Sequence, residues 1–111
     1  MARLNYVEFP VGEIGPAKAF YEAVFGWSLT DFGPTYASTM TADTDIGLQA
    51  DASEATKAPL PVIAVDDLEA ALADVIASGG TIVRPIFGFP GGRRFQFLDP
   101  AGNEVACLKS D

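Results

Sequence analysis

The sequence predicts an α+β fold made of two consecutive βαβββ units in a single domain. Three observations carry this. Val11 and Gly26 bracket a helical pattern and stand 15 residues apart, and Val65 and Gly80 bracket a second one at the same spacing, 54 positions later. In each copy a short apolar run comes before the helix and strand-like segments follow it. The chain has 111 residues, the size of one domain. A pseudo-symmetric pair of units has a seam, and seams of that kind are where small ligands bind.

The elements follow in order. Asn5 to Val11 reads as a strand, with Val7, Phe9 and Val11 on one side and Tyr6 and Glu8 on the other. Gly12 to Gly15 is a turn, and Pro16 suits a first helical position. Ala17, Phe20, Tyr21, Val24 and Phe25 recur at helical spacing until Gly26 stops them. Trp27 to Thr30, Tyr36 to Thr41 and Asp45 to Ala50 read as three short strands, punctuated by Gly33-Pro34 and by residues 41–44.

Asp51 to Pro59 is polar and Ala-rich with no periodic face, so it reads as a linker between module one (1–50) and module two (60–111). Leu60 to Val65 is an apolar strand. Pro61 near its start, like Pro10 in the first strand, removes a ladder donor. Asp66 or Asp67 caps a helix whose stripe is Leu68, Ala71, Leu72, Val75 and Ile76, and Gly79-Gly80 ends it. Thr81 to Phe87, Arg93 to Leu98 and Glu104 to Lys109 are strands. Residues 88–92 form a Gly/Pro-rich connection, read either as a plain hairpin or as a loop that closes over a ligand. It lacks the strand-to-helix context of a phosphate loop. Residues 99–103 make a tight turn.

Composition sets bounds. Hydrophobic residues make up 49%, enough for a core, and nothing suggests disorder. A domain of this size buries roughly 65% of the surface of its open chain, so its stability is modest and dimerisation helps. With 7 Lys and Arg against 15 Asp and Glu, the net charge is −8, which argues against nucleic acid and anionic membranes as partners. The same balance favours a cationic ligand only weakly. The single Cys forms no intrachain disulfide and suits the cytoplasm. The first residues have no apolar signal core, and no stretch is long enough to span a bilayer.

Residues 19–27 (AFYEAVFGW) resemble the helix end of the vicinal oxygen chelate superfamily, which includes glyoxalase I, bleomycin resistance proteins and extradiol dioxygenases. Residues 97–104 (FLDPAGNE) resemble the turn before its last strand. The resemblance covers nearly the whole chain. It implies a curled mixed sheet around a cleft, with helices outside. It also implies a divalent metal held by one side chain from the first and last strand of each module. Those positions fall on Tyr6 and Leu60 and on or beside Gln49 and Ala106. Leu60 and Ala106 have no donor atom, His is absent from the chain, and Tyr6 and Gln49 are weak ligands. The expectation is therefore no metal and no cofactor, with the family's metal-dependent activities lost. Glu8 and Glu104 are the remaining carboxylates that suit a hard cation.

Strand alternation then assigns a cleft lining. Val7 and Phe9 serve the helix side, leaving Tyr6 and Glu8 inward. Ile46 and Leu48 leave Gly47 and Gln49 inward, and Phe95 and Phe97 leave Arg94 and Gln96 inward. Leu60, Val62, Ala64, Ala106 and Leu108 add an apolar floor. Glu8 either pairs with Arg94 or meets a ligand, and it is the one weak candidate for a catalytic base. Gln49 and Gln96 bond a ligand or each other. Tyr36 and Trp27 stack on a planar ligand or pack, with packing favoured for Trp27. Cys107 alternates to the helix side as an inert core thiol.

Three functions follow. The first is a metal-free small-molecule-binding protein of the glyoxalase/bleomycin-resistance type. The second is a metal-independent lyase or isomerase acting on a small carbonyl compound. The third is a dimeric scaffold or regulatory domain, which aromatic residues exposed on edge strands would favour. A homodimer fits all three.

Overall fold

The computed structural model describes residues 2–111. Its elements are β1 (Arg3–Pro10), α1 (Ile14–Phe25), β2 (Thr30–Asp31), β3 (Tyr36–Ser38), β4 (Asp45–Gln49), β5 (Leu60–Ala64), α2 (Leu68–Ala77), β6 (Thr81–Phe89), β7 (Gly92–Leu98) and β8 (Glu104–Ser110). The order βαβββ occurs twice, and the fold is the α+β arrangement expected. Two compact units are present, one spanning Tyr6–Leu60 and the other Pro61–Asp111 with residues 2–5.

In module one the strands lie in the order β2-β3-β4-β1. β1 pairs parallel with β4, and β3 pairs antiparallel with both β4 and β2. Helix α1 covers the side that carries Phe9, Leu48 and Ala37. Leu48 and Ala37 are fully buried, and Phe9 stacks on Tyr21 at 5.8 Å between ring centroids. Gly26 ends α1 at φ +69, a left-handed conformation that costs Gly little, with its N–H donating to the Glu22 carbonyl. The strand expected from Trp27 is only Thr30–Asp31. The Glu22 carboxylate accepts the Leu29 N–H at 3.0 Å, so this segment is tied back to the helix before a ladder can form.

In module two the order is β5-β8-β7-β6, with β5 parallel to β8 and the other pairs antiparallel. Leu68, Phe95 and Cys107 form the core between α2 and the sheet, flanked by Ile63, Leu72, Val75, Ile82, Ile86 and Phe97. Of the two capping candidates, Asp67 does the work: its carboxylate accepts the Ala70 N–H at 3.0 Å.

Residues 88–92 are paired, not looped. Gly88 faces Arg93 and Phe89 faces Gly92, leaving Pro90-Gly91 as the turn, with Gly91 at φ +107. The hairpin reading therefore holds. No helix among the described residues is long and apolar enough to cross a membrane, a statement that does not bear on β-barrels.

Candidate functional site

Each module has a sheet face turned away from its helix, and the sequence-predicted residues sort onto these two faces. On module one, Glu8 is opposite Gly47, and Gln49 is opposite both Pro10 and Tyr36. Tyr6, Glu8, Tyr36, Gly47 and Gln49 therefore share the side opposite to Phe9 and Leu48, as alternation requires. Glu8 is buried, at 4% exposure, while Tyr6, Tyr36 and Gln49 are half-buried. The Tyr36 ring lies across the face with its hydroxyl over Gly47.

Two module-one groups are occupied locally. The Gln49 Oε1 accepts the Asp51 N–H at 3.0 Å, anchoring the chain as it leaves β4. Asp45 neighbours Tyr6 in register but serves the β3–β4 turn. Its Oδ1 accepts from the Thr39 hydroxyl, the Thr41 N–H and the Thr41 hydroxyl at 2.7–2.9 Å. Burial works against its charge, yet the Thr41 and Thr39 hydrogen bonds outweigh burial and hold the carboxyl below its ordinary value.

On module two, Val62 and Gln96 both face Ala106, and Arg94 faces Leu108. These positions occupy the predicted side, with Phe95 and Cys107 on the helix side. Leu60 and Val62 alternate onto one side of β5, and Leu60, Val62 and Ala106 are all buried. Arg94 and Gln96 are buried as well. The Gln96 Nε2 donates to the Glu104 Oε2 at 2.6 Å. Its Oε1 is buried and accepts no hydrogen bond among the described residues. Gln49 and Gln96 are thus each engaged within their own modules.

Sequence reasoning missed two members of this face, Arg84 and Phe87. The ladder between β6 and β7 slips twice, between Ile82 and Arg84 and again between Arg84 and Phe87. Each slip adds one residue to β6 and inverts the alternation. Arg84 consequently faces Gln96, Phe87 faces Arg94, and Ile86 packs into the core instead. Pro85 within the strand was the available signal, because proline in a paired strand marks a bulge or an edge. The Arg84 guanidinium stacks 3.5 Å above the Phe87 ring, and that of Arg94 lies 5.3 Å from Phe87 and 5.9 Å from Phe89.

Trp27 is not a core residue. It is 39% exposed and stacks on Phe25 at 4.8 Å and on Tyr21 at 6.0 Å, at the C-terminal end of α1. Cys107 is buried, and burial pushes its thiol pKa up, so the thiolate is disfavoured.

The four positions aligned with a metal site supply a phenol, an amide whose oxygen already accepts a hydrogen bond, and two aliphatic side chains. No group of three or more His, Cys, Asp or Glu side chains gathers among the described residues. This donor set does not fit a divalent transition metal.

Three likenesses locate the chain among known proteins. It is 29% identical over 118 residues to a protein of Mycobacterium bovis bearing the name "Putative glyoxylase CFP32". The match covers 96% of this chain and 45% of that relative, so the chain spans about half the relative's length. In structure it resembles hypothetical protein BH1468 from Bacillus halodurans (TM-score 0.82, 15% identity, 99% of this chain and 95% of that one). It also resembles methylmalonyl-CoA epimerase from Mycobacterium tuberculosis (TM-score 0.78, 17% identity, 97% and 87%). The family model described as Glyoxalase/Bleomycin resistance protein/Dioxygenase superfamily matches residues 3–107, nearly the whole of both modules, and the chain belongs to that superfamily.

Proposed function

We propose that the chain binds a small organic molecule through its own organic side chains, without the metal its superfamily employs. The observation behind this reading is where buried polarity sits. Among the described residues, four polar or charged side chains are buried: Glu8, Thr39, Arg94 and Gln96. Thr39 serves the Asp45 turn. The other three lie on the faces opposite the helices. Burying a polar group costs free energy that an apolar residue would not, and such departures from good packing concentrate at functional sites. The donor set described above removes the metal from the reading. A buried lone cysteine suits a reducing, cytoplasmic setting.

The test is a thermal-shift panel of aromatic antibiotics, thiol conjugates, keto and hydroxy acids, amines and divalent cations, because a ligand of the native state raises apparent stability by mass action. An organic compound should raise the melting temperature and the divalent cations should not. One equivalent of metal per chain, found by elemental analysis after dialysis against a chelator, would overturn the metal-free reading. A panel with no organic hit would overturn the binding reading.

A second reading, self-association, has its own observation. Phe20, Val24 and Phe25 of α1 and Trp27 just beyond it are 39–58% exposed, and α1 buries none of its residues fully. Most of the aromatic exposure lies on or just after this helix, with Phe32, 51% exposed, directly after the short strand β2. Lys18 and Glu22, the two charged residues of α1, cancel. Two copies of a chain with net charge −8 repel, so association runs through an uncharged apolar surface of this kind. The occupant proposed for it is a second copy, because the patch is uncharged where the rest of the chain repels its own kind. Sedimentation equilibrium decides it, and a monomer at all concentrations would sink it.

A further inference from the structure

Resting on the binding reading above, we propose that module two takes the primary ammonium group of a small organic amine, held by the side-chain oxygen of Gln96 and the carboxylate of Glu104. Gln96 is 4% exposed, and the two polar atoms of its amide are treated unequally.

The Nε2 donates to the Glu104 Oε2 at 2.6 Å. A carboxylate only accepts, so this bond fixes which way round the amide lies and leaves Oε1 as an oriented acceptor. That oxygen is buried and receives no hydrogen bond among the described residues. Glu104 accepts from Gln96 alone among the described residues, although a carboxylate has about four acceptor sites. Two neighbouring groups therefore offer only acceptors, and a ligand that satisfies both must bring the hydrogens.

The spacing suits a single nitrogen. Amide bonds of about 1.23 and 1.33 Å keep Oε1 within about 2.6 Å of Nε2, so it lies no more than about 5.2 Å from the Glu104 Oε2. One nitrogen donating two bonds of about 2.9 Å spans that gap. A primary ammonium carries three N–H donors and a charge opposite to that of Glu104, which makes its bonds roughly twice as strong as neutral ones. A quaternary ammonium has the charge and no hydrogen to give. The cations of this face stand at its other end. The guanidinium carbons of Arg84 and Arg94 lie 3.5 and 5.3 Å from the centre of the Phe87 ring, and Phe87 faces Arg94 near the β6–β7 turn. Glu104 faces Leu98 at the far end of β7, with Gln96 in between. Glu104 is half-buried, so the amine meets its carboxylate from solvent and reaches the amide oxygen as that side chain turns.

The probes are benzylamine, benzyltrimethylammonium and phenylacetate, which share a phenyl ring and differ in N–H donors and charge. Each is titrated into the intact chain and followed by nitrogen–proton correlation NMR, where the assigned Gln96 side-chain amide signal reports on the site. Benzylamine should bind and move that signal, and phenylacetate should leave it in place. Benzyltrimethylammonium should bind at least about tenfold more weakly, because it leaves the Gln96 oxygen unmatched. Glu104→Gln should weaken benzylamine at least about tenfold, since the charge that strengthens its bonds is gone. Gln96→Met should weaken it by a similar factor and yet keep or raise the melting temperature, because it removes a buried acceptor that folding leaves unmatched. The comparison of the three probes on the unmodified chain needs no variant to fold. Equal binding of benzylamine and benzyltrimethylammonium, a Gln96 signal that benzylamine does not move, or benzylamine affinity unchanged by Glu104→Gln or Gln96→Met would each overturn the proposal. A lower melting temperature of Gln96→Met with binding intact would do the same, since the amide would then serve the fold alone. If phenylacetate or another compound of the panel binds and benzylamine does not, this inference fails and the binding reading stands. If nothing of any charge binds, both fail.

Discussion

The Tyr36 hydroxyl occupies the space that a Cβ at position 47 would take, and the ring carbon that bears it lies only 3.0 Å from that point. Glycine at 47 is therefore what lets the aromatic ring lie across β4 on the face opposite α1. Gly47→Ala should push the ring off the sheet and destabilise the fold by about 1–3 kcal/mol, the usual cost of overpacking. In a Tyr36→Ala background the obstruction is gone. There the same alanine should be neutral or stabilising by about 0.5–1 kcal/mol, because glycine inside a strand carries an entropy cost. A double-mutant cycle in urea measures the coupling, and additive effects would refute the steric account.

Asp45 gives the chain an acid-sensitive turn. Three donors from Thr39 and Thr41 converge on one carboxylate oxygen, and despite burial the folded-state pKa lies below the ordinary 3.8. A group whose pKa is depressed by folding contributes stability above its unfolded value, and that contribution is lost as pH falls through the folded value. Asp45→Asn should therefore lower the melting temperature at pH 7, with the gap to the parent chain narrowing once the pH drops below 4. A gap that stays constant down to pH 2 would show that the charge plays no part.

Much of this was legible in the residues. The repeat of Val11–Gly26 in Val65–Gly80 led to both modules, because an apolar strand, a helix of fixed length and a glycine stop leave little freedom in between. Strand alternation placed Tyr6 and Glu8 opposite Val7 and Phe9, and Gln96 opposite Phe95, since the period of two is strict in a regular ladder. It failed where the ladder is irregular: Arg84 and Phe87 depend on two bulges whose positions are set by pairing with β7, not by β6 itself. It also failed for Trp27. A tryptophan after an amphipathic helix reads as core, but whether a helix face is covered depends on what else is packed there, and α1 is left largely open.

Cys107 lies against Leu68 and Phe95 with its thiol pKa raised by burial. The thiolate is the reactive form, so the native chain should react with a thiol-titrating disulfide reagent at pH 8 only as fast as it unfolds, and fully in denaturant. Cys107→Ser should cost about 1–3 kcal/mol, since it buries a hydroxyl where the sulfur had been in an apolar cluster. Stoichiometric modification within seconds under native conditions would mean that this core opens readily.

The surface of α1 offers the sharpest test of self-association, because Trp27 is the only tryptophan in the chain and stands at its edge. Burial in an interface moves tryptophan emission to shorter wavelength, so dilution of the native protein should shift emission to the red in step with the loss of dimer mass. Phe25→Lys should abolish the dimer. A charge at the centre of an apolar contact is left desolvated and unpaired, whereas in the monomer Phe25 is 57% exposed and a cation at a helix C-terminus is favourable by about 0.3–1 kcal/mol. The monomeric variant should therefore keep its circular dichroism spectrum while losing concentration dependence. Dimer mass that survives Phe25→Lys, or emission that ignores dilution, would place the contact elsewhere.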